Sequence, residues 1–600
     1  MRKKLTCAIA VSICACTLMQ NASLTTYANN PICSTAFAPD PAPVVFGDEL
    51  WVFTGCDKDA RNDNYYMVGW QAFSTTDMQN WTNHGMILKD NEFSWCTENN
   101  AWASQCIERN GKYYFYFTTT DPARGREIGV GVADNPEGPY KDVLGKPLCG
   151  PDWAYIDPTV IIDDDGQAWL MFGNPDCYYV KLKEDMVTLD GQIQKFNLSL
   201  PAGTKYGEGP WIYKHDSLYY LVFASFVDAF GGESISYCTG PSVTGPWTFR
   251  GNIHEGSNCF TTHGGIIDYK GHSYSFYHMN GLPGGGSFNR SAACEEFTYG
   301  SDGSIPALKS TKNGPDQIEA FNPYRRVEAE TMAWSEGVKV ESAGNGSQAL
   351  GFIENGDYVM LKGVDFGEGA TEFITSVASD GEGGKIELHL DSATGPIVGT
   401  ATCPVTGGWQ EFTEVSGNVV GATGKHDLYL RFSGSDGYLF NVDWWEFKGA
   451  GSSASSGQGN TTSKVLGDLD NDEVITAKDL SLAHQEYKIF QAFSGTSFKS
   501  NADVNGNGQI EKDDFQWYVK FLTGQTKDYP EKAVQTTTAP PATTPAPTTT
   551  TTAAPVKSNY QYKEIKFHEA PGYYFNGADH KGRVVNESYN GINGGNKLNV

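Results

Sequence analysis

The chain has 600 residues, a formal net charge of −27 at pH 7 and an aromatic content of 13%. Its length predicts several domains, and its 68 glycines together with the aromatic residues favour β-rich modules over helical bundles. The charge argues against nucleic acid as a partner, because binding to phosphates requires clustered Lys and Arg.

Residues 1–28 have the features of a signal peptide. The segment from Arg2 to Lys4 is basic, an apolar core runs from Leu5 to Met19, and Ala28 suits a cleavage edge. This core is too short for a typical membrane span. We therefore expect an exported, extracellular protein without a membrane span. Three of the 13 cysteines lie in this leader, and for the others both disulfides and buried free thiols remain open.

Residues 30–310 repeat one pattern five times. Each copy is an apolar strand, a polar turn and an aromatic strand, which is the signature of a β-hairpin. The copies begin at Val44, Ile107, Val160, Ile212 and Ile266. Five hairpins at a nearly constant spacing predict a five-bladed β-propeller, because radial repetition protects the edges of the sheets.

One residue just before each copy is a candidate for chemistry. In chain order these residues are Asp40, Trp102, Asp157, Glu208 and His263. The first strand of each blade lines the axis of a propeller, so the five side chains should meet at one mouth of the channel. Carboxylates that lie together raise each other's pKa, which indicates a reactive site. The alternative is that the Asp-Pro and Glu-Gly-Pro sequences only begin turns.

Four motifs carry these positions: Asp40-Pro-Ala-Pro, Tyr155-Ile-Asp157-Pro, Tyr206-Gly-Glu208-Gly-Pro, and the glycine-rich segment 282–291 that contains Arg290. Together they resemble glycoside hydrolase family 43, in particular its arabinoxylan arabinofuranohydrolase branch. The resemblance implies an inverting hydrolase with Asp40 as the general base, Glu208 as the general acid, and Asp157 as the group that tunes and orients the acid. Such an enzyme needs about 6.5–9.5 Å between its acid and base carboxyls.

The same resemblance implies further contacts in the propeller. Arg290 matches a residue that contacts the substrate, and His263 matches a position near a calcium or solvent cluster in the channel. Trp102 is assigned to sugar stacking, as Trp153 can be, with packing in the core as the alternative for both. The segment Asp163–Gly166 is interpreted as an exposed hairpin turn in preference to a metal loop.

Residues 324–449 form a second module. Alternating strands lie between an opening phrase at 327–332 and a closing phrase at 439–447, which predicts a β-sandwich. These phrases, with those around Phe352 and Trp409, resemble family 6 carbohydrate-binding modules. The resemblance implies a sugar-binding cleft at Phe352, Trp409 and Asn441. It also implies a structural calcium site, since carboxylate oxygens suit a hard cation; its ligands are Glu328, Glu330 and Asp443.

Two acidic loops follow a linker at 450–462. Each has oxygen ligands at the spacing of a calcium loop, and the predicted ligands are Asp468, Asp470, Asp472, Val474, Thr476, Asp479, Asp503, Asn505, Asn507, Gln509, Glu511 and Asp514. Residues 464–526 resemble a type I-like dockerin with a small helical calcium-binding fold. This resemblance implies docking to a cohesin of a scaffoldin. A plain calcium-stabilised appendage is the alternative.

The remaining residues are a Thr/Pro-rich stretch at 535–557 and a final segment at 559–600. The composition of the first predicts a disordered linker. The second is similar to the entry strands of carbohydrate esterase family 1, and we interpret it as the truncated start of a further domain. It contains no nucleophile motif.

The sequence thus predicts a secreted hydrolase that removes α-L-arabinofuranosyl groups from arabinoxylan within a cellulosome-type complex. Two alternatives remain open. The same propeller can act as a β-xylosidase or arabinanase, because loops around the pocket select the sugar. A propeller that binds carbohydrate without turnover is a different class, against which the complete set of three carboxylates argues.

Overall fold

The computed structural model describes residues 30–449 except 59–61, 257 and 345, together with the backbone of 575–578 and 584–586. These residues form strands and contain no helix, so the mainly β prediction is confirmed for them. In this part of the chain there is also no helix with the length and apolar character that a membrane crossing needs. The predicted signal peptide, linkers and calcium loops lie outside the described residues.

The first twenty strands form five antiparallel sheets in chain order. The first sheet contains β1 (Ala42–Phe46), β2 (Glu49–Asp57), β3 (Met67–Thr75) and β4 (Trp81–Lys89). The second contains β5 (Ser104–Arg109), β6 (Lys112–Asp121), β7 (Gly125–Ala133), β8 (Lys141–Asp142) and β9 (Cys149–Asp152). The third contains β10 (Thr159–Ile162), β11 (Ala168–Phe172), β12 (Tyr178–Leu182) and β13 (Leu189–Lys195). The last two contain β14 (Thr204–His215), β15 (Leu218–Val227), β16 (Glu233–Gly240), β17 (Thr248–His254), then β18 (Ile266–Tyr269), β19 (His272–Met279) and β20 (Ser291–Phe297).

The first strands of these sheets contact one another in a closed ring. Strand β1 contacts β5, β5 contacts β10, β10 contacts β14, β14 contacts β18, and β18 contacts β1. Each sheet therefore has its first strand at the centre and its later strands outside, which is the arrangement of a propeller. The predicted five-bladed propeller is confirmed.

The chain segment before β1 completes the fifth blade. Ala38 forms a parallel bridge with Ser291, and the amide of Ile32 donates to the carbonyl of Ala292 at 2.9 Å. The fifth sheet has only three strands of its own, so this segment supplies the missing outer partner for β20. The ring is closed by joining its two ends.

Glu295 fastens this closure from inside the protein. Its buried carboxylate accepts hydrogen bonds from Asn30 Nδ2 at 3.2 Å and from Tyr277 Oη at 2.9 Å. It also accepts from the backbone and hydroxyl of Thr311, at 2.6 and 3.0 Å. One side chain thus connects the beginning of the propeller, its fifth blade and the segment that leaves it.

Glu295→Ala is expected to lower the free energy of unfolding of the propeller by about 3 kcal/mol, because several buried donors lose their acceptor and each costs ~1–3 kcal/mol. The measurement is thermal unfolding followed by near-UV circular dichroism. The control is Glu296→Ala, whose half-exposed carboxylate pairs with His272 at 2.8 Å. An exposed pair contributes about 0–1 kcal/mol. Equal melting temperatures for the two variants would contradict the role of Glu295.

The second module is a sandwich of two sheets. One has the strand order β24-β25-β32-β27-β30, with β21 against β32, and the other has the order β23-β26-β31-β28-β29. Its strands are β21 (Val327–Glu328), β22 (Thr331–Met332), β23 (Trp334–Glu336), β24 (Lys339–Ser342), β25 (Gln348–Gly351), β26 (Tyr358–Asp365), β27 (Ala370–Ser379), β28 (Gly384–Leu390), β29 (Ile397–Cys403), β30 (Gly408–Asn418), β31 (Lys425–Ser433) and β32 (Asn441–Gly449). One hydrophobic core that includes Phe373, Phe432 and Trp445 lies between the sheets. The predicted β-sandwich is confirmed.

The sandwich is joined to the first blade by strand pairing. Strand β22 pairs antiparallel with β4, so it extends the sheet of blade one. The hydroxyls of Thr82 and Thr331 are 2.8 Å apart across this pair. Nearby, the side-chain amide of Asn80 accepts from the amide of Lys362 at 2.8 Å and donates to its carbonyl at 2.9 Å. The two modules share a sheet as well as a surface.

The buried cysteines of this part of the chain are free thiols: Cys33, Cys106, Cys149, Cys177, Cys238, Cys294 and Cys403. Burial raises the pKa of the Cys106 thiol to about 12, which keeps it protonated and unreactive. The sequence left disulfides and buried free thiols open, and these seven cysteines are buried free thiols.

In the separate unit Gly457–Val600, two short strands, β33 (Phe575–Ala578) and β34 (Val584–Asn586), pair antiparallel.

Candidate active site

Asp40 lies at the inner end of blade one, in contact with the side chains of Arg290 and His278. It has a left-handed backbone, with φ at 56°, and a buried carboxylate. Arg290 Nη1 donates to its Oδ1 at 2.9 Å, and His278 Nδ1 lies 3.2 Å from the same oxygen. Burial alone would raise the pKa of Asp40, but Arg290 and His278 outweigh it and hold the pKa below its ordinary value. Asp40 is therefore an anion.

Arg290 is fixed in place by Asp57 and Tyr65. Its Nη2 and Nε donate to the two oxygens of Asp57 at 2.9 and 3.1 Å, and its backbone amide donates to Oδ2 at 2.8 Å. The guanidinium lies over the ring of Tyr65, 4.9 Å from the ring centre. All of these groups except the Tyr65 ring are buried. The bidentate pair leaves Nη1 as the atom that reaches Asp40.

Asp157 joins the third blade to the backbone beside Glu208. It also has a left-handed backbone, with φ at 59°, and its Oδ2 accepts from the amide of Gly209 at 3.0 Å. The same oxygen is 4.0 Å from His263 Nδ1. Gly209 has φ at +58°, and a Cβ there would lie 2.8 Å from the His263 ring. Position 209 therefore requires glycine. Its hydrogen bond to Asp157 places the neighbouring residue, the predicted acid Glu208, beside Asp157.

Burial and crowding raise the pKa of both carboxyls in this pair. For Asp157, burial acts first and the charges of Glu208 and Asp40 add to it. For Glu208, burial also dominates, while the hydrogen bond from Asn174 Nδ2 at 2.7 Å and the charge of Arg126 oppose it. Two carboxyls whose pKa values are pushed in opposite directions, Asp40 downward and Glu208 upward, are the arrangement of a base and an acid.

The sequence motifs missed three charged or polar residues around this pair. Arg126 and Asn174 face Glu208, and Glu233 is a further buried carboxyl whose pKa burial and Glu208 raise to about 8. Each lies at or near the end of a strand, at a position without a repeating signal. His263 is buried as well, and burial lowers its pKa to about 4, so the imidazole is neutral.

Aromatic side chains surround the mouth. Trp102 is half-buried, donates from Nε1 to Thr120 at 3.0 Å, and meets Tyr65 edge-on at 5.6 Å. It therefore contacts the ring that lies under the Arg290 guanidinium. Trp153 is 56% exposed and Phe226 is 48% exposed. As predicted, the segment Asp163–Gly166 is a hairpin turn, between β10 and β11. It contacts Tyr219 and Lys214.

Sequence comparisons match the propeller to known enzymes. The model of glycosyl hydrolases family 43 matches residues 28–305. An arabinoxylan arabinofuranohydrolase of Paenibacillus polymyxa is 31% identical over 540 residues, which cover 79% of this chain and 80% of that protein. An arabinoxylan arabinofuranohydrolase of Bacillus subtilis is 32% identical and is covered to 92% of its length, against 70% of this chain.

The chain belongs to glycosyl hydrolase family 43.

A solved structure of this family agrees with the whole arrangement. The family 43 arabinoxylan arabinofuranohydrolase from Bacillus subtilis, in complex with cellotetraose, has a TM-score of 0.62 and 30% sequence identity. The match covers 70% of this chain and 98% of that one. This family 43 chain is therefore a glycoside hydrolase with a propeller and an attached sandwich in a known combination.

Two further family models match later segments of this family 43 enzyme. The model of carbohydrate binding module family 6 matches residues 328–449, and the dockerin type I model matches residues 466–523. These findings confirm the resemblances drawn from the sequence for these two segments. The residues of the two dockerin loops lie outside the described part of the chain.

The predicted cleft of the binding module contains two exposed aromatic side chains. Phe352 is 40% exposed with φ at 58°, and Tyr438, which the sequence analysis did not select, is 52% exposed and meets Phe352 edge-on at 5.5 Å. Trp409 is half-buried. Asn441 is only 2% exposed, and its Nδ2 donates to Glu341 at 2.7 Å and to the Trp409 carbonyl at 2.9 Å. Its amide nitrogen is engaged within the protein.

The three carboxylates of the predicted calcium site in this module are electrostatically coupled. Burial raises the pKa of Glu330 to about 8, with Glu328 and Asp443 adding to the effect, and Glu330 Oε2 is buried without a hydrogen-bond partner. An orphaned carboxylate oxygen fits a hard cation. Arg326, however, contacts Glu328 at 2.9 Å and Asp443 at 3.8 Å. Within the described residues no group of three or more His, Cys, Asp or Glu side chains is placed to hold a metal ion.

Proposed function

We propose that this family 43 enzyme is an exo-acting, inverting hydrolase that removes α-L-arabinofuranosyl side groups from arabinoxylan. The observation that carries the proposal is the opposite displacement of two pKa values at one mouth of the propeller, that of Asp40 downward and that of Glu208 upward. The relatives named arabinoxylan arabinofuranohydrolase support the choice of sugar and polymer.

The proposed reaction uses each carboxyl once. Glu208 donates its proton to the glycosidic oxygen as the bond to the sugar breaks. Asp40 takes a proton from a water molecule that attacks the anomeric carbon from the opposite face. Burial and the charge of Asp40 raise the pKa of Glu208 and so favour its protonated form, and Asp157 holds the adjacent backbone through Gly209. Arg290 keeps Asp40 ionised and contributes to binding the sugar.

The exposed aromatic rings beside the acid suit the xylan chain. In this reaction the leaving group is the polymer, so it lies on the side of Glu208. Phe226 is close to Gly207, where an added Cβ would be 3.2 Å from its ring, and the Trp153 carbonyl accepts from Arg126 Nη1 at 2.8 Å. The Phe226 ring therefore lies next to the segment of the acid, and Trp153 belongs to a loop that contacts Arg126; exposed rings at these positions can stack on xylose units.

Product analysis tests the proposal. Wheat arabinoxylan, debranched arabinan and xylo-oligosaccharides are incubated with the enzyme, and the products are followed by proton NMR. Free arabinose first formed as the opposite anomer, with an unshortened xylan chain, is the expected result. Xylose or arabino-oligosaccharides would move the assignment to a xylosidase or arabinanase. Binding without any released sugar would support a non-catalytic propeller.

The pH dependence follows from the two pKa shifts. Because the pKa of Asp40 is lowered, activity is lost on the acidic side only below about pH 4, the ordinary Asp value. Because the pKa of Glu208 is raised, activity persists above the ordinary Glu range and falls as the pH rises through the raised value.

Arg126→Gln removes a positive charge that lowers the pKa of Glu208, so the alkaline limb of kcat/KM should move to higher pH. Arg250→Gln, at a site that pairs with Asp302, is the control; a downward shift in Arg126→Gln would contradict the assignment.

We further propose that the sandwich binds the polysaccharide through Phe352, Trp409 and Tyr438. Their exposed or half-exposed rings at one end of the module support this role. Trp409→Ala should reduce retention on insoluble arabinoxylan by about tenfold or more, on the basis of ~1.5–3 kcal/mol for burying a large apolar side chain, without changing kcat on a soluble substrate. Ile397→Ala, an exposed apolar residue of the same module, is the control. Equal retention of the two variants would place the binding site elsewhere.

For the dockerin we propose calcium-dependent docking to a cohesin outside the cell. The match to the dockerin type I model supports it, and the acidic loops at 468–479 and 503–514 would hold the calcium. Pull-down by a panel of cohesins in calcium and then in chelator tests the idea. Absence of any calcium-dependent partner would favour a calcium-stabilised appendage.

A further inference from the structure

The segment 261–263, between β17 and β18, touches three parts of the catalytic mouth. The carbonyl of Thr261 is 2.8 Å from His278 Nε2, and its hydroxyl is 3.2 Å from Tyr65 Oη. His263, two residues later, is the imidazole 4.0 Å from Asp157. A shift of this segment would therefore move the partners of Asp40, Arg290 and Asp157 together.

The contact with His278 also fixes one proton on its ring. A carbonyl oxygen can only accept, so Nε2 of His278 carries a proton that it donates to Thr261. Nδ1, on the opposite side of the ring, faces Asp40: it lies 3.3 Å from the Asp40 backbone nitrogen and 3.2 Å from Oδ1, and a proton on Nδ1 donates to Oδ1. His278 is fully buried. The position of Thr261 thereby decides how His278 meets Asp40.

Glu233, the first residue of β16, is the side chain that anchors this segment. Its Oε2 accepts the amide of Thr262 at 2.9 Å, and the carboxyl is 9% exposed. The hydroxyl of Thr262 has no partner and is buried, so it offers no other polar anchor at this residue. The charged groups that act on Glu233 are Glu208 on β14 and Asp40 ahead of β1. Burying a carboxyl near two other carboxyls costs free energy, which indicates that the hydrogen bond from Glu233 to Thr262 has a role in the structure.

We propose that Glu233 is a positioning residue for the hydrolysis: through Thr262 it fixes segment 261–263, and through Thr261 and His278 it holds Asp40 in place. This rests on the proposed function, since it needs Asp40 to act as the base. Burial and the charge of Glu208 raise the pKa of Glu233 to about 8. In either protonation state Oε2 can accept the amide, so the contact persists across the working range of pH.

The test compares Glu233→Ala with Glu233→Gln on 4-nitrophenyl α-L-arabinofuranoside and on arabinoxylan. Gln retains an acceptor for Thr262 and should keep kcat within about threefold, whereas Ala loses it. A misplacement of about 1 Å can cost ~100-fold, so we expect kcat of the Ala variant to fall 10- to 100-fold with little change in KM. Its acidic limb should move to higher pH, because His278 no longer supports the anion of Asp40.

Melting temperatures decide whether the Ala variant is folded; if it is not, the Gln variant and Glu233→Asp, whose shorter side chain withdraws from Thr262, carry the test. Glu255→Gln, an exposed neighbour on the same connection, is the control. An Ala variant with wild-type kcat and pH profile would overturn the proposal. So would a Gln variant as impaired as Ala, because charge rather than the hydrogen bond would then be responsible. If the wild-type enzyme hydrolyses no arabinofuranoside, the proposed function fails instead, and the variants are compared on the substrate that it does cleave.

Discussion

Glu208→Gln is expected to lower kcat on arabinoxylan by about 10²–10⁴-fold, the usual contribution of a general acid. The physical reason is that an amide cannot give a proton to the departing xylan oxygen. Its shape is unchanged, and Asn174 can still hydrogen-bond to the amide oxygen in place of the carboxylate. Removing a buried carboxyl whose ionisation is disfavoured also costs little stability. The melting temperature should therefore stay within a few degrees of the wild-type value.

A substrate with a good leaving group separates the acid from other roles. An aryl arabinofuranoside such as the 4-nitrophenyl compound needs little protonation, so Glu208→Gln should retain far more activity on it than on the polymer. The control is Glu184→Gln, at an exposed position in the hairpin between β12 and β13, which should match the wild type on both. Near-complete activity of Glu208→Gln on arabinoxylan would show that another group is the acid.

Asp40→Asn should abolish hydrolysis of both substrates, with a loss of about 10³-fold or more within the range for a general base. The attacking water needs a base whatever the leaving group is, so activity on the aryl substrate should be lost as well. The same change also leaves the buried Arg290 with one carboxylate, Asp57, in place of two. We therefore expect a lower melting temperature as well, since removing one partner from a buried charge is destabilising.

Comparison of the two variants makes the assignment specific. Each variant is assayed on the polymer and on the aryl substrate, and the ratio of the two kcat values is the readout. Asp190→Asn, an exposed carboxyl of β13, is the matched control for charge and size. If Asp40→Asn were spared on the aryl substrate and Glu208→Gln were not, the two roles would be reversed.

The sequence predicted the ring and much of its mouth because both follow from a repeat. A hairpin recurring at constant spacing fixes which strand lies at the axis, and that placed Asp40, Asp157, Glu208 and His263 together. Trp102, taken from the same register, meets Tyr65 edge-on. A position ahead of a strand constrains where the backbone is, but the size of a side chain and its neighbours decide where it points.

The supporting residues could not be predicted in this way. Asp57, Asn174 and Glu233 lie at the end of β2, after β11 and at the start of β16, at a different step of the repeat in each case. Their meeting with Arg290, Glu208 and Thr262 depends on how loops from different blades approach each other. Tyr438 in the sandwich is a similar case, because it belongs to a loop and its contact with Phe352 is tertiary.

The pairing of β22 with β4 has a consequence for anyone who wishes to recombine these modules. By sequence, Thr331 and Met332 belong to the binding module, yet they complete the outer edge of a hydrolase blade. A cut at the apparent boundary therefore removes a strand from the enzyme and leaves β4 with an open edge, which invites pairing with other chains. The propeller and the sandwich therefore cannot be exchanged as independent modules. A recombined protein must keep strand β22 with the propeller or supply another strand that pairs with β4.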